Sequence, residues 1–399
     1  MKQQNRLYRP SILHGLALAL LFFFLVMGFV PKTQAAPMAP DYTITTLGGV
    51  LVVTDVSGNG ETLTVSEPGG GNILFSVPGR NFSIDGGPDL PGNSGSLSLA
   101  GVTSVIINPG NGNDTLNVGA FTGSFPSLTI NGDAGNDTIN LNGDITFATD
   151  ANLDLDLQND SATPGTDVVN LGAGANLLTA GSGTITIKCN WNVTLASDSS
   201  LETEDGGVTI ETNQQAVVTA GTFVGIDLNN ATIRTTGVGN VSLLGESGNT
   251  LDSNMGIRLQ AGAQVLSTQA TSGAGSLTFN GVIPGGRAAN FGVQLTGAAT
   301  LVSSVSGPIT VTGLSGGTGG TGGNYGVVMA DGATIRSTGT TAAAAPITVT
   351  GTGGRGNQTN HGVYLDGSAS DPLITSVAGA ISVTGTGGTA TGPALVGFC

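Results

Sequence analysis

Val224-Gly225-Ile226-Asp227-Leu228 returns as Met255-Gly256-Ile257-Arg258-Leu259, then as Phe291-Gly292-Val293-Gln294-Leu295, Tyr325-Gly326-Val327-Val328-Met329 and His361-Gly362-Val363-Tyr364-Leu365. The glycines stand 31, 36, 34 and 36 residues apart. Each is followed by two apolar residues in alternation, the period of a strand with one buried face. A second short strand centres on Ile233, Val265, Leu301, Ile335 and Ile374. A third pairs Val241/Leu243, Leu277/Phe279, Ile309/Val311, Ile347/Val349 and Ile381/Val383, and closes on Gly245, Gly281, Gly313, Gly351 or Gly385. Self-similarity at a fixed period marks stacked units that share one core. Three strands in about 35 residues make one coil, so the expected fold is all-β: a right-handed parallel β-helix.

Outward from these repeats, which occupy 211–399, the period shortens. Over 101–210 it falls to about 23–30: Val105-Ile106-Ile107-Asn108 answers Leu128-Thr129-Ile130-Asn131, and Asp114, Asn117 and Val118 answer Asp137, Asn140 and Leu141. A looser third copy runs from Leu153 to Leu157 and on to Asp167-Val168-Val169-Asn170-Leu171. Residues 37–100 hold strand-like runs of no fixed period, expected to be a β cap over the open end of the stack. Residues 1–36 read as a signal peptide: Lys2, Arg6 and Arg9 precede an apolar run, and Thr33-Gln34-Ala35 has the small-residue pattern of a cleavage site; the apolar run is also long enough for the alternative, an uncleaved membrane anchor. The body is therefore expected to be secreted or on the cell surface, and not membrane-spanning. Gly397 stands 35 residues after Gly362, so the sequence stops as a new coil begins and is expected to be one part of a longer repetitive protein.

Glycine makes up 67 of 399 residues, while charged residues are 9% and aromatics 5%. That suits strands joined by tight turns and excludes a coiled coil or a highly charged disordered chain. Without the leader, seven basic residues face 26 acidic ones, a net charge of −19. Such a surface disfavours nucleic acid and anionic membranes. The two cysteines, Cys189 and Cys399, make no disulfide framework, and Cys189 reads as a small packing residue in a strand.

Two further details concern the repeats. Asn254, Asn290, Asn324 and Asn360 each lie two residues before the repeat glycine, where stacked amides can bond from coil to coil. Met255, Phe291, Tyr325 and His361 follow them, in phase by alternation with the inward Ile and Val positions, and read as a packing stack near one corner.

Gly110-Asn111-Gly112-Asn113-Asp114-Thr115-Leu116 and Gly132-Asp133-Ala134-Gly135-Asn136-Asp137-Thr138-Ile139 resemble the calcium-binding nonapeptide turns of RTX-type secreted proteins. The resemblance implies calcium held by Asp114 and Asp137 with the turns at Gly112 and Gly135, since calcium takes six to eight oxygens. The alternative is a ladder of Asn/Asp/Gly turns without metal.

Enzyme signals are sparse. One histidine (His361) and one lysine (Lys188) follow the leader, which leaves no His-based triad or zinc site. Asp154 and Asp156 alternate with Leu153, Leu155 and Leu157, as on the solvent face of a strand; Asp150, Asp160 and Asp167 complete an acidic run. Lys188 is expected one coil from that run. Arg234 and Arg336 fall at equivalent outward positions two repeats apart.

The runs Gly183-Thr184-Ile185-Thr186-Ile187, Asn192-Val193-Thr194-Leu195 and Ile309-Thr310-Val311-Thr312-Gly313 resemble exported bacterial β-helix proteins of the filamentous-haemagglutinin-like and pectin-lyase-like kind. The resemblance implies a structural or adhesive role, with a host or neighbouring cell surface or glycan as partner; the sparse enzyme signals separately give the expectation of no catalytic residues. Gly-rich loops over 246–254, 282–290, 314–324 and 352–360 vary while the strands keep their pattern, which places binding on the loops. The alternatives are a carbohydrate-active β-helix enzyme and a purely architectural, calcium-stabilised surface protein.

Overall fold

Three strands per turn of chain, each alternating inward and outward, stack into a parallel β-helix. The structure is a computed structural model describing residues 39–159, 164–271, 273–318, 323–356 and 359–389. The chain divides into two units, Met1–Ala39 and Pro40–Cys399, and the second carries the fold. The leader, Asp160 and the run Val396–Cys399 lie outside the described residues. Among the described residues there are 34 strands and no helix, arranged as a 25-stranded and a 9-stranded sheet.

The larger sheet supplies two faces of the coil and the smaller one the third. Face 1 runs from Val50–Asp55 through Ser104–Asn108 and on to Ile381–Thr386 by ten successive parallel pairings, hence eleven strands. At about 4.8 Å per strand that is a stack on the order of 50 Å deep. Face 2 begins with Thr62–Ser66 and Thr115–Val118 and reaches Val363–Asp366. Face 3 runs from Phe121–Phe125 to Leu373–Ser376. Coils are counted from Ser104, so the fifth to ninth begin with Val208–Thr212, Val241–Glu246, Leu277–Ile283, Ile309–Ser315 and Ile347–Thr352.

The core is built of columns. Val105, Leu128, Leu153, Ile185 and Val208 stack in register on face 1 and are at most 1% exposed. Each such side chain contributes about 1.5–3 kcal/mol by leaving water. Cys189 belongs to this interior. Outward on the same face, Thr186, Thr209, Ser242, Thr278, Thr310 and Thr348 form a row of hydroxyls, the cross-strand pairing that β-branched residues favour.

One expected strand centre is displaced by a residue. Val265 pairs with Val302, not Leu301, and Val302 pairs with Ile335; Val302 is fully buried. In neighbouring coils the position two before the buried residue is Ala231, Ala263 or Ala333; here it is Thr300, whose hydroxyl accepts the Gly262 N–H and donates to Thr296 O. That threonine hides the Ala-x-Val pattern, and a one-residue slip exchanges the two sides of a strand. Likewise, Arg336 stands three coil steps beyond Arg234, through Leu266 and Ser303, rather than two repeats.

The N-terminal segment is both a cap and the first level of the stack. Val50–Asp55 and Thr62–Ser66 join faces 1 and 2, while Tyr42–Leu47 and Asn72–Ile84 pair antiparallel against them. Tyr42 stacks on Phe82 with ring centres 5.0 Å apart. Arg80 bridges Asp41 at 3.3 Å and also pairs with Glu61.

Candidate functional site

The variable loops all leave the stack at the corner between faces 1 and 2. In coils six to nine that corner is closed by facing glycines: Gly245 with Gly256, Gly281 with Gly292, Gly313 with Gly326, Gly351 with Gly362. A Cβ on Gly256, Gly292 or Gly326 would sit 2.6, 2.8 or 2.7 Å from the carbonyl oxygen of its partner glycine. Two sheets therefore meet main chain to main chain, a contact no other residue permits.

Just outside this closure runs a column of buried amides and carboxylates. The N–H of Asp114 donates to Asp137 Oδ1 at 2.8 Å, that of Asp137 to Asp167 Oδ1 at 2.7 Å, and that of Asp167 to Asn190 Oδ1 at 2.7 Å. The same bond recurs further along: Phe223 N–H to Asn254 Oδ1 at 3.1 Å, Asn254 to Asn290 at 3.0 Å, Asn290 to Asn324 and Asn324 to Asn360 both at 3.3 Å. The RTX-like turns and the Asn-bearing loops are thus one structural position, interrupted at coil five, where Phe223 stacks on Trp191 with ring centres 4.0 Å apart. The Asn half was legible from the repeat. The membership of Asp167 and Asn190 was not, because successive members stand an uneven 23, 30 and 23 residues apart, which masks the equivalence.

Asp114 and Asp137 stack in adjacent coils, as their spacing of 23 residues requires. One oxygen of each accepts a backbone N–H: Asp114 Oδ1 takes that of Glu61 at 2.8 Å. Gly112 lies where a Cβ would meet the main chain of Asn59 and Gly60 at 2.7 Å, so its glycine is fixed by close approach of the cap. Among the described residues no group of three or more His, Cys, Asp or Glu is arranged to hold a metal. As they stand, these residues form an amide-capping column. Burial pushes the Asp114 carboxyl up to about 7 against the lowering Glu61 N–H bond, with the charges of Asp137, Glu61 and Asp55 adding to the rise.

Met255, Phe291, Tyr325 and His361 are in register but half-exposed, not in the core. The interior ends at the glycine pairs, so the alternation that sends Ile257 inward carries Met255 beyond the closure, beneath the loops. There the rings form their own column. Phe291 and Tyr325 stack at 5.5 Å and 7°, Tyr325 and His361 at 5.6 Å and 16°, and Tyr364 lies 5.0 Å from Tyr325. The Tyr325 hydroxyl meets Thr359 Oγ1 at 3.2 Å.

Arg287 and Arg355, which sequence reasoning did not single out, stand exposed on the loops beside this column. The signal was present: between residues 253 and 365 four arginines face a single acid, Asp331, in a chain of net charge −15. On face 1, Asp154 and Asp156 point outward, and Lys188 is in register with Asp156 one coil on. Burial, then Asp156, raises the Asp154 carboxyl above its ordinary range, with Lys188 opposing.

Comparison with known protein families, with curated proteins and with solved structures found no match to this chain.

Proposed function

We propose that this is a secreted or cell-surface structural and adhesive β-solenoid that binds a surface or glycan at the corner between faces 1 and 2. The observation that carries the reading is the column Phe291–Tyr325–His361, joined by Tyr364: aromatic rings held half-exposed beneath variable loops on a rigid stack. Burying these rings in the core would stabilise the chain; leaving them at the foot of the loops offers large apolar surfaces with polar edges, the composition of recognition sites. The test is saturable binding of the full-length chain to glycan arrays and cell surfaces, set against Phe291→Ala and Tyr325→Ala. Loss in both variants supports the corner as the site. Undiminished binding moves it elsewhere, and no binding removes the adhesive reading.

One observation favours a second reading, a carbohydrate-active enzyme: Lys188 stands in register beside Asp156, on the face that also carries Asp154. Paired carboxylates with a nearby base can act as acid and base on a sugar chain. Release of reducing ends from a polysaccharide, abolished by Asp154→Asn, would select it.

A further inference from the structure

We infer that the corner of coils seven to nine takes an acidic glycan, a sugar chain bearing carboxylate or sulfate groups, with Arg287 and Arg355 as its charge contacts. This rests on the glycan-binding reading above and names the chemistry it selects.

The first support is which arginines are engaged. Arg258 is tied to Asp227 at 2.6 Å, and Arg336 Nε donates to Ser303 Oγ at 3.1 Å. Arg287 and Arg355 have no carboxylate partner among the described residues. The acid on the adjoining loop, Asp252, uses Oδ1 to accept the Ala288 N–H at 2.8 Å. Asp331 takes the Thr296 hydroxyl at 2.7 Å, at the far end of the face 2 strand.

The second support is positioning. The fully buried Asn324 donates its Nδ2 hydrogens to Arg287 O at 3.0 Å and to Arg355 O at 2.8 Å. Arg287 and Arg355 belong to the coils on either side of Asn324, so one core amide fixes both stems side by side. Arg355 N–H is further held by Gly317 O at 2.5 Å. Preorganised stems lower the ordering cost of a charge contact.

The third support is what lies between and beside them. The stacked rings of Tyr325 and His361 belong to the same coils, and Arg355 itself lines a depression of about 380 Å³ together with Thr318, Thr352 and Thr389. Guanidinium forks bind carboxylate and sulfate oxygens in pairs, rings take the apolar faces of sugars, and hydroxyls take the remaining polar groups. Two isolated cations on an acidic protein match the sparse charges of a sugar polymer better than the dense phosphates of nucleic acid.

The test titrates the full-length chain with dextran, carboxymethyl-dextran and dextran sulfate, which share one backbone, at low and high salt. The expected result is that both charged forms bind at least about tenfold more tightly than dextran at low salt. In Arg287→Gln/Arg355→Gln that preference disappears while the circular dichroism and melting temperature stay unchanged. Equal binding of dextran and its charged forms, or a preference that survives in the double variant, overturns the inference and leaves glycan binding standing. Binding of none of the three overturns the glycan reading itself, and the inference with it. Stronger competition by single-stranded DNA than by dextran sulfate also overturns it.

Discussion

Replacing Gly292 by alanine should destabilise this protein far more than its size suggests. A Cβ there would lie 2.5 Å from Leu314 N, 2.7 Å from Gly326 O and 2.8 Å from Gly281 O. All three are main-chain atoms of paired strands, so none can rotate away, and faces 1 and 2 must part by several tenths of an ångström. Overpacking of this kind costs about 1–3 kcal/mol, and three backbone contacts place it at the upper end. The lower chain entropy of unfolded alanine offsets roughly 0.4–1 kcal/mol of that. A net loss of about 2 kcal/mol follows. The control is Gly123, in the strand Phe121–Phe125, where an added Cβ meets nothing within 4 Å. Gly123→Ala should be neutral or stabilising by up to about 1 kcal/mol. Urea unfolding followed by far-ultraviolet circular dichroism reads both as shifts in midpoint at constant slope. If the two variants unfold at the same urea concentration, the faces do not touch at this corner and the account of the closure is wrong.

The register of face 3 makes a sharper distinction between neighbours. Val302→Ala should cost about 2 kcal/mol and Leu301→Ala under about 1 kcal/mol, because only Val302 faces the core; the reverse order would restore the Leu301 centre. Asp114 sets a pH dependence. Its carboxyl is raised from 3.8 to about 7 in the folded chain, so its favourable contribution is complete below about pH 4 and lost as pH rises through 7. Asp114→Asn, which keeps the acceptor and does not titrate, should melt above the wild type at pH 8 and not at pH 4; an equal difference at both pH values refutes this. Calcium added to the same melts separates column from cage. A rise in the wild type that is absent from Asp114→Ala/Asp137→Ala would establish Asp114 and Asp137, with Gly112 and Gly135 in their turns, as the metal site, and no rise leaves a column without metal.

Where strands alternate cleanly and end on glycine, as at Val241–Gly245 and Ile309–Gly313, side-chain direction follows from the sequence and the coil is legible. Where two apolar residues are adjacent, as at Leu301-Val302, alternation alone does not choose between them; the choice lies in the hydrogen bonds of Thr300, one to Thr296 in its own coil and one to Gly262 across a coil boundary. The aromatic column was legible as a stack at one corner, but its exposure was not, for a different reason. Strand alternation tells which way Tyr325 points, not where the interior stops, and the interior stops at a contact between Gly313 and Gly326 that are thirteen positions apart. Arg287 and Arg355 sit on connections of unequal length, so their common anchor on Asn324 emerges only once the coils are stacked.

The glycine closure has a consequence for how such a molecule diversifies. Peptide geometry, not side-chain volume, sets the separation of the two faces there, so each of coils six to nine offers an identical mount for whatever loop it carries. A loop can be lengthened, shortened or exchanged like a cassette on a rail without shifting the mounts above and below it. New binding surface can then accumulate coil by coil, at a pitch of about 4.8 Å, while the folding problem stays the same.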